Sequence, residues 1–121
     1  MSASILSEVR EVLVGDVTDT SFDKELMFNI NMALNFLWQL GVPGAETTKV
    51  KDETTTWEDL IGDNVDLEQV KEYIILKTKT LFDPPSAGFV LEQYNKQLAE
   101  LEYRINITVD DQSGRGGTSN E

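Results

Sequence analysis

Residues 81–89 read Leu81-Phe82-Asp83-Pro84-Pro85-Ser86-Ala87-Gly88-Phe89, and this segment separates two helical segments. Proline lacks a backbone N–H and disfavours the α conformation in the residue before it, so consecutive prolines end the first helix near Asp83. Ser86 is then a suitable N-cap for the second helix. Phe82 and Phe89 flank the break, and we expect them to close the apex of a helical hairpin by aromatic burial.

The segments on both sides of this turn, within residues 65–107, have helical periodicity. Apolar residues recur mainly at spacings of three, four and seven in the first segment and of three and four in the second. The sequence therefore predicts two helices, each with an apolar seam that needs a partner. The seams consist of Leu67, Val70, Ile74 and Leu81, widened by Tyr73 and Leu76, and of Leu91, Tyr94, Leu98, Leu101 and Ile105.

Two further helices are predicted in the N-terminal half of the chain. The first is capped by Ser4 or Ser2 and stops at Gly15, and the second covers residues 22–40 and stops at Gly41. The apolar positions of the first helix are Ile5, Leu6, Val9, Val12 and Leu13.

The second of these helices is apolar around more than half of its circumference. Its core face is predicted to carry Leu26, Ile30, Ala33, Leu34 and Leu37. Met27, Phe28 and Trp38 fall off that face, so the helix is either central to the core or has a second partner. We expect these residues to be buried in the core, because surplus aromatic side chains usually are.

Residues 45–56 form a polar, threonine-rich segment with extended tendency. A long irregular loop is uncommon inside a compact domain, so it is either a mobile surface loop or a binding segment. Its candidate interface residues are Ala45, Thr47, Thr48, Lys49, Val50 and Lys51. Thr56-Trp57-Glu58-Asp59 then has the form of a capping box, which opens one helical turn that Gly62 ends and Trp57 anchors. Asp66-Leu67-Glu68-Gln69 repeats this pattern.

Residues 108–121 are polar and glycine-rich, so the predicted division is a helical domain of residues 1–107 and a flexible tail of residues 108–121. The tail is either a frayed end or a segment that folds on a partner. Its candidate contact residues are Asp110, Asp111 and Arg115. The predicted fold class is all-α: a small bundle of about four helices with a C-terminal helical hairpin, one extra turn at residues 56–61 and no significant sheet.

Composition excludes several classes of function. Ten basic against 22 acidic residues give a net charge of −12, which opposes binding to nucleic acid or anionic lipid. The chain has no cysteine and no histidine, so thiolate metal sites, disulfides and histidine general bases are excluded. No apolar run is long enough for a membrane span, and the N-terminus lacks a signal-peptide pattern, so we expect a cytoplasmic protein.

Neighbouring carboxylates are the remaining candidates for chemistry, at Asp52-Glu53, Glu58-Asp59 and Asp110-Asp111. None stands beside a second ligand set, a phosphate-binding glycine loop or an activated nucleophile. We therefore predict no enzyme activity and no cofactor. From composition alone, a structural adaptor and a small acidic helical binding module or regulator, acting as a monomer or dimer, both remain open.

A family resemblance favours the adaptor. Tyr73-Ile74-Ile75-Leu76-Lys77 precedes the Asp83-Pro84-Pro85-Ser86 turn, and Glu100-Leu101-Glu102-Tyr103-Arg104 follows it. This order resembles the C-terminal half of the small head-tail connector (adaptor) proteins of long-tailed bacteriophages. The N-terminal helices agree with that family only in order and length.

The resemblance implies a virion protein at the head-tail interface, assembled in the host cytoplasm. Such a protein forms a homo-oligomeric ring, dodecameric in relatives, beneath the portal protein and joins the DNA-filled capsid to the tail. DNA passes through the channel at ejection without specific binding. The implied partners are the portal, a head-closure (stopper) or tail-side protein, and further copies of the chain, with no membrane. We expect residues 45–56 to order on a neighbour or a tail-side protein, and residues 108–121 on the portal.

Overall fold

The computed structural model describes residues 3–62 and 67–117, with residues 67 and 111–117 as backbone alone. Six helices and no strand occur in these ranges. They are α1 (Ile5–Leu13), α2 (Asp23–Gln39), α3 (Gly44–Thr47), α4 (Trp57–Ile61), α5 (Leu67–Phe82) and α6 (Gly88–Gly117). The predicted all-α class is confirmed. Helices α1, α2, α4, α5 and α6 are predicted from the sequence, whereas the short α3 is not.

The structure contains the capping residues from which the helix boundaries are predicted. The Ser4 hydroxyl accepts a hydrogen bond from the Ser7 N–H at 3.2 Å at the start of α1, and Ser2 lies outside the described residues. Gly15 follows α1 with a φ of 87°, and Gly41 follows α2 with a φ of 99°. Glycine adopts these angles without the steric cost that other residues have, so both helices stop where the sequence predicts.

The core forms where α5 packs against both α2 and α6, while α1, α3 and α4 cover the rest of α2 and α5. Phe22, just before α2, contacts Phe82 at the end of α5, so α2 and α5 run antiparallel. The predicted α2 face is confirmed, because Leu26, Ile30, Ala33, Leu34 and Leu37 are all buried. The other fully or largely buried apolar residues include Ile5, Leu6, Val9, Val70, Tyr73, Ile74, Leu98, Leu101 and Ile105.

The surplus apolar residues of α2 differ from the prediction. Phe28 is 66% exposed and Trp38 is 47% exposed, and Met27 is only partly buried. The helices that pack on α2 cover the face around Ile30 and Leu37, whereas Phe28 and Trp38 remain in solvent. The expectation that Phe28 and Trp38 are buried is therefore wrong.

The last helix continues beyond its predicted end at Ile107 and reaches Gly117. Thr108 donates its hydroxyl to the Arg104 carbonyl at 3.0 Å, and Val109 packs against Gly41. Once a helix exists, each further residue adds a hydrogen bond without a new nucleation cost, so the polar composition does not stop it. The expected boundary between residues 1–107 and 108–121 thus falls inside α6, while the flexibility of the segment beyond it stays a prediction.

Candidate assembly surfaces

The turn between α5 and α6 does not have the paired aromatic apex that the sequence predicts. Phe82 is partly buried and meets Phe22 edge to face, with ring centroids 5.5 Å apart and an interplanar angle of 81°. Phe89 is 71% exposed. The prediction is therefore wrong for Phe89, which lies in the first turn of α6 and points away from the core.

The predicted cap of α6 is also displaced by one residue. The Ala87 carbonyl accepts hydrogen bonds from the N–H groups of Val90 and Leu91 at 3.1 and 3.2 Å, so Ala87 holds the cap position. Ser86 precedes it and is exposed, as are Asp83 and Pro84, whereas Pro85 is half-buried. The turn thus presents mostly polar surface with one exposed aromatic side chain beside it.

Residues 45–56 are bound to the domain and contribute two side chains to its core, which their polar composition does not predict. Ala45 and Val50 are 6% and 1% exposed and belong to the main hydrophobic cluster. The Thr48 hydroxyl donates to the Asp59 carbonyl at 3.3 Å. The spacing of Ala45 and Val50 matches neither a helix nor a strand pattern, which is why periodicity missed them.

A buried arginine that the sequence analysis did not single out fixes this loop to the helices. Arg10 of α1 is 2% exposed. Its guanidinium donates to both carboxylate oxygens of Asp23 at 2.9 and 2.6 Å, to Glu53 at 2.7 Å and to the Val17 carbonyl at 2.8 Å. The two-pronged bond to Asp23 raises the pKa of Arg10. One side chain thereby joins α1, the start of α2 and the loop.

Trp57 anchors α4 as predicted. It is 3% exposed, and its indole N–H donates to Glu8 at 3.0 Å. Glu8 also pairs with Lys71 of α5 at 3.0 Å, and the Lys71 ammonium lies 5.7 Å from the Trp57 ring. The capping box of Thr56 and Asp59 is confirmed. The second box begins at Asp66, outside the described residues.

The candidate contact residues divide into buried and exposed groups. Ala45, Thr48 and Val50 are buried, whereas Thr47, Lys49, Lys51 and Asp110 are exposed. Asp111 and Arg115 lie on the α6 backbone, and their side chains are outside the described part.

Two of the three acidic pairs have structural partners. Asp52 accepts hydrogen bonds from the Thr54 hydroxyl and N–H, which lower its pKa. Glu53 binds Arg10, and Asp59 completes the capping box. Asp16 and Asp19 form turns of the same kind, and the hydroxyls of Thr18 and Ser21 lower their pKa values.

Within residues 3–62 and 67–117, no group of three acidic residues converges as a metal site would require, and no helix is long and apolar enough to cross a membrane.

The outer side of α6 carries a line of exposed residues that we call the α6 stripe: Phe89, Lys96, Tyr103 and Ile107. Phe89, Tyr103 and Ile107 are 71%, 68% and 48% exposed. Their spacing places them on one side of the helix, opposite the buried Leu98, Leu101 and Ile105 that face the core. We take the α6 stripe as a candidate contact surface.

A second exposed apolar surface lies on α2, and we call it the α2 face: Phe28, Met32, Asn35 and Phe36. Phe28 is 66% exposed, and Met32 and Phe36 are each 37% exposed. The Lys77 ammonium lies 4.3 Å from the centroid of the Phe36 ring, so the edge of this face toward α5 is partly covered. The spacing of four residues from Phe28 to Met32 to Phe36 is visible in the sequence, but it does not reveal that these residues remain exposed.

A model of a protein family described as "Phage connector protein" matches residues 5–112. The chain belongs to this family. Comparison with curated proteins and with solved structures gives no match. Membership assigns the connector a structural role in the phage head-tail connection, and it confirms the family that the turn and its flanking helices resemble. The match spans α1 to most of α6, so every surface described above lies within it or at its edge.

Proposed function

We propose that this connector forms a ring beneath the portal that joins the DNA-filled capsid to the tail and lines the channel for DNA. The observation that carries the proposal is the family match over residues 5–112. Such a subunit must contact copies of itself, the portal above and a head-closure or tail-side protein below. It therefore needs several separate contact surfaces on a small domain.

The exposed aromatic residues support this requirement. Phe28 on α2 and Phe89 and Tyr103 on α6 are each at least 66% exposed. A monomeric acidic regulator has no need of three large, solvated aromatic side chains on two helices, whereas aromatic residues are enriched at protein interfaces. This observation favours the assembling adaptor over the monomeric binding module.

Charge supports the passage of DNA without binding. The connector has a net charge of −12, and DNA phosphates are repelled by a surface of the same sign. A channel wall formed by such subunits lets the duplex slide during ejection.

We assign the portal and tail-side contacts to the exposed polar segments. Thr47, Lys49 and Lys51 form one exposed group on the loop after α3, and they are our candidates for the tail-side protein or a neighbouring copy. The C-terminal part of α6 beyond Val109, with Asp110, Asp111 and Arg115, is our candidate for the portal. A polar segment that orders on its partner binds only where the interface compensates for the lost chain entropy.

The first experiment mixes the purified connector with purified portal rings and with DNA-filled heads that lack it. We expect stoichiometric rings on the portal, counted by native mass spectrometry or electron microscopy, and recovery of tail attachment. Free double-stranded DNA at the same salt concentration is the control and should not bind. A connector that binds neither portal rings nor heads would refute the proposal.

The second experiment tests the C-terminal segment. Removal of residues 114–121 leaves the helical hydrogen bonds around Val109, which packs on Gly41, so thermal stability should be unchanged. We expect weaker attachment to heads. If the truncated connector attaches as well as the full chain does, residues 114–121 have no role in portal binding.

A further inference from the structure

The α2 face lies in the longest stretch without charge in the whole sequence. Residues 26–45 contain no Asp, Glu, Lys or Arg, although the chain has 32 such residues in total, 10 basic and 22 acidic. The exposed side chains between Phe28 and Gln39 are therefore aromatic, thioether or amide groups. Depletion of charge together with aromatic and methionine side chains is the composition of the centre of a protein interface.

The α6 stripe also exposes apolar side chains, but it includes the charged Lys96 and has a charged border. Its aromatic anchors Phe89 and Tyr103 are flanked by Glu92 and by Glu100, which pairs with Arg104 at 2.6 Å. Both surfaces turn away from α5, since the opposite sides of α2 and α6 carry the buried residues. One small domain thus exposes two different apolar helix faces.

We propose that the α2 face of one connector subunit packs against the α6 stripe of the next, and that this heterologous contact builds the ring. The inference rests on the proposed function and names the surfaces that the ring uses. A contact between two different patches of the same chain propagates from copy to copy and closes when the rotation per subunit permits, whereas a patch that binds itself stops at a dimer.

Ring closure selects this pairing among the three possible ones. Two α6 stripes in contact would form a closed dimer and leave both α2 faces exposed, and Lys96 and Arg104 balance Glu92 and Glu100 there, so charge does not oppose that pairing. When the uncharged α2 face is one partner, no like charges meet across the contact. Two α2 faces also avoid repulsion, but they would form a closed dimer and leave both α6 stripes exposed.

The dimensions of the two surfaces agree. Phe28 to Gln39 rise about 16 Å along α2, and Phe89 to Ile107 rise about 27 Å along α6. The shorter face therefore fits within the longer stripe. A single pair of helices covers less than the roughly 800 Å² per partner of a standard interface, so the contact is weak for two subunits and gains strength when a portal ring aligns many of them.

Site-directed cross-linking tests the contact. The chain has no cysteine, so a thiol cross-linker reacts only at the cysteines that are introduced. Asn35→Cys lies on the α2 face and Ala99→Cys borders the α6 stripe, and both positions are exposed and spare the aromatic anchors. The double variant is assembled on portal rings, and also concentrated in solution, and is treated with a short bis-maleimide. Denaturing gels then give the covalent oligomers. Thermal melts confirm that every variant is folded.

If the α2 face packs against the α6 stripe of the next subunit, the double variant should give a ladder of dimers, trimers and higher oligomers. Each single variant alone should stay monomeric, and a mixture of the two single variants should stop at the dimer. The matched control, Glu11→Cys with Ala99→Cys, places the first cysteine at an exposed position of α1 and should give no ladder.

Each other result is decisive. Dimers from Asn35→Cys alone, without a ladder from the double variant, would mean that two α2 faces pair and would overturn the inference. Multiple subunits on the portal without a ladder would overturn the inference and leave the proposed function standing. A ladder in solution from a chain that never binds portal rings or heads would support the contact and refute the proposed function. Neither a ladder nor binding would refute both.

Discussion

The side-chain amide of Asn31 pairs with the backbone of Val50 in both directions. Its Nδ2 donates to the Val50 carbonyl at 3.0 Å, and its Oδ1 accepts from the Val50 N–H at 2.9 Å. Val50 is 1% exposed, so its backbone groups need partners inside the protein, and Asn31 supplies both of them. A residue on α2 thereby holds the loop of residues 45–56 against the domain.

Replacement of Asn31 by alanine should lower the free energy of unfolding by about 1–3 kcal/mol, because the Val50 backbone loses both partners. Asn35→Ala is the matched control one turn further along α2, and it should change stability by less than about 0.5 kcal/mol. Urea titration of both variants measures the difference. Equal effects would mean that the Asn31 pairing contributes nothing specific.

The two carboxylates at Arg10 should differ in their contribution to stability. Asp23 is 20% exposed and binds the guanidinium through two oxygens, whereas Glu53 is 52% exposed and binds through one. We expect Asp23→Ala to cost about 2–3 kcal/mol, since it removes charge-assisted hydrogen bonds from a buried cation. Glu53→Ala should cost under about 1 kcal/mol because solvent screens the pair. Chemical denaturation of the two variants checks the order, and the reverse order would contradict the geometry.

The two phenylalanines beside the proline turn should behave differently. Phe82 is partly buried against Phe22, so Phe82→Ala should cost about 1–3 kcal/mol, less than for a fully buried ring. Phe89 is 71% exposed, so Phe89→Ala should change the free energy of unfolding by less than about 0.5 kcal/mol. Thermal unfolding of the isolated subunit gives both values. A large loss for Phe89→Ala would restore the paired apex that the sequence predicts.

Gly44, at the start of α3, should not tolerate a larger residue. A Cβ atom at Gly44 would overlap the Leu60 carbonyl of α4. The overlap can be relieved only by a shift of the backbone, because the Cβ atom and the carbonyl are both attached directly to it. We expect Gly44→Ala to cost about 1–3 kcal/mol by forcing α3 and α4 apart. Gly88 in the first turn of α6 is the control, because nothing lies within 4 Å of a Cβ at that position. Gly88→Ala should be neutral or stabilising by up to about 1 kcal/mol. Calorimetric melting temperatures distinguish the two outcomes.

Tyr73 should make stability depend on alkaline pH. Burial and a hydrogen bond of 2.9 Å from its hydroxyl to Glu102 raise the pKa of Tyr73 above its ordinary value. The stabilising effect is fully present below the unfolded pKa of about 10 and is lost as pH rises through the higher folded pKa. Tyr73→Phe should cost about 0.5–1.5 kcal/mol at neutral pH and reduce the loss of stability above about pH 10. Denaturation at a series of pH values tests this, and parallel curves for the two proteins would argue against it.

Prediction from sequence succeeded where the cause is local. Gly15, Gly41 and the Thr56–Asp59 box end or begin helices through their own backbone and side-chain chemistry. Prediction failed where the structure depends on contacts between residues that are distant in sequence. Arg10 and Glu53 are 43 positions apart, and no local pattern pairs them. The candidate contact residues Thr47, Lys49, Lys51 and Asp110 are exposed, and their role in assembly stays a prediction.

The sequence predicts α1, α2, α4, α5 and α6, their order, the hairpin around the two prolines and the apolar face of α2 that enters the core. These features follow from spacing, caps and backbone restrictions within a few residues. Which surplus apolar residues remain in solvent depends on how the helices pack together. Phe28 and Ile30 are equally apolar in the sequence, yet one is 66% exposed and the other fully buried. The difference arises because burial depends on where α1, α3 and α5 pack around α2, and a helix with apolar residues on all sides has more of them than a domain of this size covers.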